Sequence, residues 1–452
     1  MNPIELVNKY VIGALLPPML ILCGVYFCFR LRFFHLRHPI ALLSVALGRS
    51  RSATGRDAPS PLSALCMALA GTLGTGNIVG VALAIVSGGP GAIFWMWVSA
   101  FAAMTVKYAE TLLAIDTRVI LPSGERRGGA MYYIRGSSAA SRAIAAIFAL
   151  LCMAEALTVG SGIQASATAE CAETLLGVPS ALTGTAMALL TAVVVLGGTK
   201  KIASVTTLAV PLMTLGYTLI SLWAIIANRE ALPEALRSIF ADAFNARAAA
   251  GGLLGFLLSP ALRFGVSRGL LSNEAGCGTA PSAHAASGED DPARQGALGI
   301  VEVFVDTVLL CTMTALVILT SGVSLEGGGA LVTVRAFAVT LGDAAAPTVT
   351  LMIFVFAWAT MLCQAFYGGV CIGYLGLGER SRRLFGIALC ASALLCSVVP
   401  SDAVWSVADL TVGAMTLINV ATLLRRADRV RELTLPLLAR LGQKKSGRLT
   451  KG

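Results

Sequence analysis

Gly71-Thr-Leu-Gly-Thr-Gly-Asn-Ile-Val-Gly80 lies near the middle of an apolar run over residues 61–87. Four glycines and an asparagine in ten residues make a poor helix, at a depth where no water is present to satisfy a frayed backbone. Such a segment persists only if its free N–H and C=O groups face a ligand or a cavity. The N-terminus of the following half-helix would offer N–H groups and partial positive charge to a carboxylate. The end of the preceding one would offer carbonyls to a small cation. Gly76 and Gly80 also form a GxxxG pair, which lets a neighbouring helix approach closely. The two readings are compatible.

The rest of the chain fixes the solvent. It has 452 residues, 56% hydrophobic and 13% charged, with a mean hydropathy of +0.79. A soluble protein carries about 25% charge, so the chain is read as an all-α integral membrane protein. Its apolar stretches are long and continuous, unlike the alternating ten-residue strands of an outer-membrane barrel. About eleven segments can each cross a hydrocarbon core: 10–30, 61–87, 91–117, 143–175, 180–197, 202–227, 249–270, 296–320, 347–376, 384–399 and 403–424. The first is a retained helix, since it has no basic leader and Arg30 and Arg32 follow it directly.

Numbering the loops alternately puts the great majority of the 34 Lys and Arg on one side, including the tail from 425. Lys9, Arg229, Arg237, Arg247 and Arg335 are left on the other. That asymmetry predicts an N-terminus outside and a basic C-terminus in the cytoplasm, beside anionic lipid and not nucleic acid. The expected organisation is a peripheral helix and basic loop (1–60), five helices (61–228), five more (249–424) and a basic tail (425–452). An odd number of helices per half inverts the second half, as in inverted-repeat transporters.

Other polar groups in apolar runs are candidates for chemistry. Thr158, Ser161, Ala165 and Thr168 share a helical face bordered by Gln164, whose amide can orient a zwitterion without a large desolvation cost. Thr360 and Gln364 form a third island, with hydroxyl oxygen suited to Na⁺. Among buried charges, Lys107 and Glu110 are spaced i,i+3, Glu302 and Asp306 i,i+4, and Glu155 and Asp409 stand alone. Pairing inside the bundle, with Lys107 or Arg263 as counter-ion, is their expected role. No GxxxxGK[ST], HExxH or GxSxG is present, so neither an ATP motor nor a hydrolase is expected. The 11 cysteines form no CxxC pair and read as small buried hydrophobes.

Several long motifs resemble the alanine or glycine:cation symporter family. They are Gly71–Ala84, Gly88–Trp97, Lys107–Glu110, Gly129–Tyr133, Arg268–His284, Glu302–Thr307 and Cys311–Ile318. The resemblance implies one peripheral helix plus a five-plus-five inverted repeat, the leucine-transporter-like architecture. It also implies uptake of a small neutral amino acid coupled to Na⁺, or in some relatives H⁺, across the inner membrane. By that similarity Gly74, Thr75, Gly76 and Asn77 form the broken helix, Gln164 contacts substrate, and Thr360 lies near substrate or ion. Thr75 and Thr360 are the implied Na⁺ ligands. Two positions depart from the family pattern: Ala359 stands where a Ser hydroxyl is typical, and Gln364 replaces a pocket-walling Trp. The second change implies a larger, more polar site, for serine or glutamine. A non-transporting amino-acid receptor is the remaining alternative, though the residues after 424 are too few for a signalling domain.

Overall fold

The computed structural model describes residues 13–48, 58–244, 259–326, 328–399 and 401–449, and almost all of them are helical. Helix α1 (Gly13–Arg30) leads into two short helices, α2 (Phe34–Arg37) and α3 (Pro39–Ala46). The run at 61–87 is two helices, α4 (Pro61–Thr72) and α5 (Val79–Gly88), bent by 65° around a 3-10 turn at Thr75–Asn77. Helix α6 (Gly91–Thr117) is followed by a hairpin, β1 (Val119–Ile120) and β2 (Arg126–Arg127), and by α7 (Ala130–Ile134). Helix α8 (Ala139–Leu157) continues through a π turn at Thr158–Ile163 into α9 (Gln164–Leu176). Helices α10 (Ser180–Val195), α11 (Gly198–Ala227) and α12 (Leu232–Ala243) come next.

Helix α13 (Pro260–Asn273) ends in a second irregular stretch, where Glu274, Gly276 and Gly278 all have positive φ, before α14 (Pro281–Ala285). Helix α15 (Pro292–Val303) runs through a π turn at Phe304–Cys311 into α16 (Thr312–Ser321). The chain ends with α17 (Gly329–Leu341), α18 (Ala345–Tyr374), α19 (Glu379–Val398), α20 (Ser401–Arg425) and α21 (Ala427–Leu449). The two interrupted helices start alike. Ser60 accepts the N–H of Ser63 ahead of Pro61, and Ser259 accepts that of Leu262 ahead of Pro260. A serine cap followed by proline at N1 fixes both starts.

The molecule is apolar outside and polar within. Leu208, Leu212, Leu215, Leu219, Trp223 and Ile226 form an exposed stripe down α11, whereas Asn77, Lys107, Glu110, Glu302 and Asp306 are fully buried. Solvation by lipid explains this distribution. Helix α6 packs against α13 and α15, α4 against α11 and α18, α8 against α18, and α10 against α19.

Among the described residues, seven helices are long and apolar enough to cross a membrane, or eight when the bent pair counts as one span. The remaining three expected spans fall short or are only partly described. Helix α1 has 18 described residues and contains Pro17 and Pro18, and α10 has 16. Residues 249–258 of the span expected at 249–270 lie outside the described residues, as do Lys9 and Arg247 of the charge count. Arg263 and Arg268 are on α13, at the end of that expected span. Helix α17 was not expected, because thirteen residues are too few to register as a span. The tail is not a loose basic arm. Helix α21 packs on α3, α6 and α15, with Tyr108 donating to Thr434 (3.0 Å), Arg429 bidentate to Asp116 (2.7 and 3.0 Å) and Arg440 near Asp291 (3.3 Å).

Candidate functional site

The break begins where the Leu73 N–H closes α4 on Leu69 O (2.7 Å). The next residue leaves little room for a side chain: a Cβ on Gly74 would lie 2.8 Å from both Gln164 Oε1 and Thr360 Oγ1. Gly74 N–H donates to Asn77 Oδ1 (3.2 Å), and Thr75 N–H donates across the gap to Gln164 Oε1 (3.0 Å). Asn77 Nδ2 donates to Ser272 Oγ (3.0 Å) and to the backbone and side-chain oxygens of Asp306 (3.1 and 2.8 Å). Ser272 and Thr307 donate in turn to Asp306 Oδ2 (2.9 and 2.7 Å). Carbonyls freed by the break are also taken: Thr314 donates to Asn77 O (2.9 Å) and Thr333 to Ile78 O (3.1 Å). Much of the unwound backbone thus finds partners inside the protein, as it must where bulk water is excluded.

Gln164 opens α9 immediately after the π turn, which carries its side chain to the break. The same turn disperses the face on which it was expected to sit. Ser161 donates to Leu389 O on α19 (2.8 Å), and Thr158 and Thr168 bond back to their own helix. A π turn shifts helical phase within one turn, and straight-helix periodicity does not capture that. Between the break and α9 lies a small cavity of about 50 Å³, bounded by Gly74, Thr75, Gly76, Val159, Ile163 and Gln164, with Arg268 and Glu274 on its far side. Space of that size admits several waters.

Thr360 Oγ1 lies 3.2 Å from Phe356 O and 3.4 Å from Leu73 O, at the carbonyl end of α4, with the buried Ala359 beside it. The structure thus gathers Gly74, Thr75, Gly76, Asn77, Gln164 and Thr360 at one place. Asn77 and Thr360 border the break without lining the cavity, and Gln364, one turn further along α18, lies outside it too. Its Nε2 donates to Glu155 Oε1 (3.2 Å), and its stem lies against Gly160, where a Cβ would come 2.3 Å from Gln364 Cγ.

The buried charges separate by partner. Lys107 is 3.3 Å from Glu302, not bonded to its sequence neighbour Glu110, which accepts from Asn419. Glu302 also bonds His284 (2.9 Å), whose other ring nitrogen meets Gln295 (2.9 Å). Arg263 is exposed and lies over Phe264, so it is not the counter-ion expected of it. Ser272, His284 and Thr314 lie inside the resembling motifs without being singled out as site residues, and Thr333 lies outside them, because each gains its role only through tertiary contact.

An apolar helix bundle with a span unwound at mid-depth, lined by backbone donors on one side and carbonyl and hydroxyl oxygens on the other, is the construction of a membrane transporter. Comparison with known proteins gives the family: the sodium:alanine symporter family model matches residues 1–441, and the chain belongs to that family. It is 36% identical to the sodium/alanine symporter AgcS of Methanococcus maripaludis, over 93% of each chain. An uncharacterized transporter of Haemophilus influenzae is 38% identical, over 92% of each. A probable sodium/glutamine symporter, GlnT of Bacillus subtilis, is 32% identical over 92% of this chain and 86% of its own. The protein is accordingly a multi-pass membrane transporter of the sodium/amino-acid symporter type.

Proposed function

We propose that the protein carries a small neutral amino acid of the alanine or glycine class into the cell with Na⁺, by alternating access. The observation that carries this reading is the bond from Thr75 N–H to Gln164 Oε1 across a small cavity. The amide oxygen occupies a donor that opens a half-helix, where a carboxylate is favoured by both charge and dipole. A substrate carboxylate displaces it, and the released Gln164 amide turns to the substrate. Na⁺ is held at the opposite end of the break, by Leu73 O and Thr360 Oγ1, both neutral oxygens of the hard type that Na⁺ prefers.

The small cavity and the turning of Gln364 toward Glu155 support a compact substrate over serine or glutamine. The breaks at 73–78 and 274–280 are tied together through Asn77, Ser272 and Asp306. They move as one body, with α4–α6 and α13–α16 rocking against α8–α10, α18 and α19. The two serine-proline starts support assigning these breaks to equivalent positions in a five-plus-five inverted repeat. The basic loops and α21 face the cytoplasm in this reading. One charge crossing 100 mV supplies about 2.3 kcal/mol, roughly fifty-fold accumulation before any Na⁺ gradient.

Proteoliposome uptake of a labelled amino-acid panel tests the proposal, with an imposed Na⁺ gradient, an H⁺ gradient or neither. Na⁺-driven uptake of alanine or glycine that is lost in Gln164→Ala supports it. Uptake that follows only H⁺ transfers coupling to a buried carboxylate. Binding without uptake would favour a receptor.

A further inference from the structure

Glu155 is 2% exposed, lies on α8 in the bundle interior, and has a single hydrogen bond, from Gln364 Nε2 to its Oε1. Its other oxygen, Oε2, has no partner, and neither has Gln364 Oε1. Glu110 Oε2 is likewise unpartnered, but the following buried carboxylates each have a cation or several donors close by. Glu302 meets Lys107 and His284, Asp306 accepts from Asn77, Ser272 and Thr307, and Glu110 accepts from Asn419 with Lys107 one turn away. No Lys, Arg or His bonds Glu155 among the described residues. The titratable groups that reach it are Cys152 on its own helix, Cys363 on α18 and Glu274 at the second break, all potential anions. Among the described residues, helices α7, α19 and α20, which also pack on α8, bring none. A buried, unpaired carboxylate costs several kcal/mol, and two facing acceptors without a donor are each unsatisfied.

One added hydrogen resolves both. A carboxylic acid and a primary amide form a closed two-point pair, in which the amide N–H donates to the acid carbonyl and the acid O–H donates to the amide oxygen. The 3.2 Å contact supplies one arm of that pair, and a hydrogen shared between the two orphaned atoms would supply the other. We propose that Glu155 and Gln364 form a proton-binding site that fastens α8 to α18. This rests on the transport reading only for its consequence. Helix α8 leads through the π turn to Gln164, so the proton holds in place the helix that carries the substrate-facing amide. When the proton leaves, a bare carboxylate faces an amide oxygen, with no cation to compensate, and the two helices separate. The folded, substrate-competent form is the protonated one, so competence is lost as pH rises.

Infrared spectroscopy of the purified protein reads the proton directly. A hydrogen-bonded carboxylic-acid C=O band, absent from Glu155→Gln, is expected. Gln364→Leu, which removes the acceptor, should shift that band to higher frequency. Uptake at fixed Na⁺ should fall with rising pH, by about tenfold per unit past the midpoint, and Glu155→Gln should remove that dependence while retaining uptake. An absent band, a band unmoved in Gln364→Leu, or an unchanged pH profile in Glu155→Gln overturns the proposal. If Glu155→Gln fails to fold, the Gln364→Leu band decides alone. A protein that transports no amino acid but keeps the band refutes the symport reading and leaves this one standing.

Discussion

Replacing Lys107 with methionine removes the cation on which several buried acids depend. Its Nζ is 3.3 Å from Glu302 Oε1, with both side chains fully buried, and Glu110 and Glu274 also lie within its field. At an effective dielectric of 20, a contact of that length corresponds to about 5 kcal/mol of attraction. Deleting one partner of such a pair typically costs 3–5 kcal/mol, because the other charge stays buried without compensation. The reverse deletion, Glu302→Gln, leaves Lys107 with Glu110 and Glu274, and its amide still accepts from His284. Lys107→Met should therefore cost more than Glu302→Gln. The double variant should recover about 2 kcal/mol of the sum, the coupling expected of contacting residues. Reversible unfolding by sodium dodecyl sulfate in mixed micelles measures all four corners of this cycle. Equal single losses, or strict additivity, would show that Lys107 does not hold these acids together.

The break offers a second test: Gly74→Ala puts a methyl 2.8 Å from Gln164 Oε1 and Thr360 Oγ1, and should abolish substrate-dependent uptake while leaving the protein folded by size-exclusion chromatography. Asn77→Ala takes from Asp306 Oδ1 its Asn77 donor and should lower stability by about 1.5–3 kcal/mol, measurable in the same micelle assay, with loss of uptake. At the surface, Asp116→Asn releases one bidentate arginine from α21 and should cost no more than about 1 kcal/mol. Its expected readout is faster tryptic cleavage after Arg440, which in the wild type should also accelerate with added salt.

The first break was legible because glycines and an asparagine in an apolar run contradict helix formation in lipid, a conflict that a single stretch of sequence contains. Gln164 and Thr360 were legible for the same reason, as polar side chains where polar groups are costly. The partners of Asn77 were not, since Ser272 and Asp306 lie 195 and 229 residues away and meet it only when three helices converge. Lys107 shows the opposite failure. The i,i+3 spacing favours Glu110, yet the packing of α6 on α15 delivers Glu302. The π turn at 158–163 shifts the helical phase, so the face drawn through it from straight-helix spacing does not hold. Gln364 is expected at the pocket only through the resemblance, as the replacement of a walling Trp, and sequence does not reveal that Gly160 leaves room for its stem beside α8.

The cavity has two walls of different kinds. One is the broken segment itself, from Gly71 to Gly80, where almost any replacement disturbs the ion end of the break as well. The other is presented by Val159, Ile163 and Ala167, short apolar side chains on α8–α9 that bond to nothing across the gap. Evolution can therefore resize the guest by exchanging those three residues without rebuilding the coupling machinery. Paralogues with different cargo should diverge there first, and a laboratory selection for a new amino acid should return its earliest hits at the same positions.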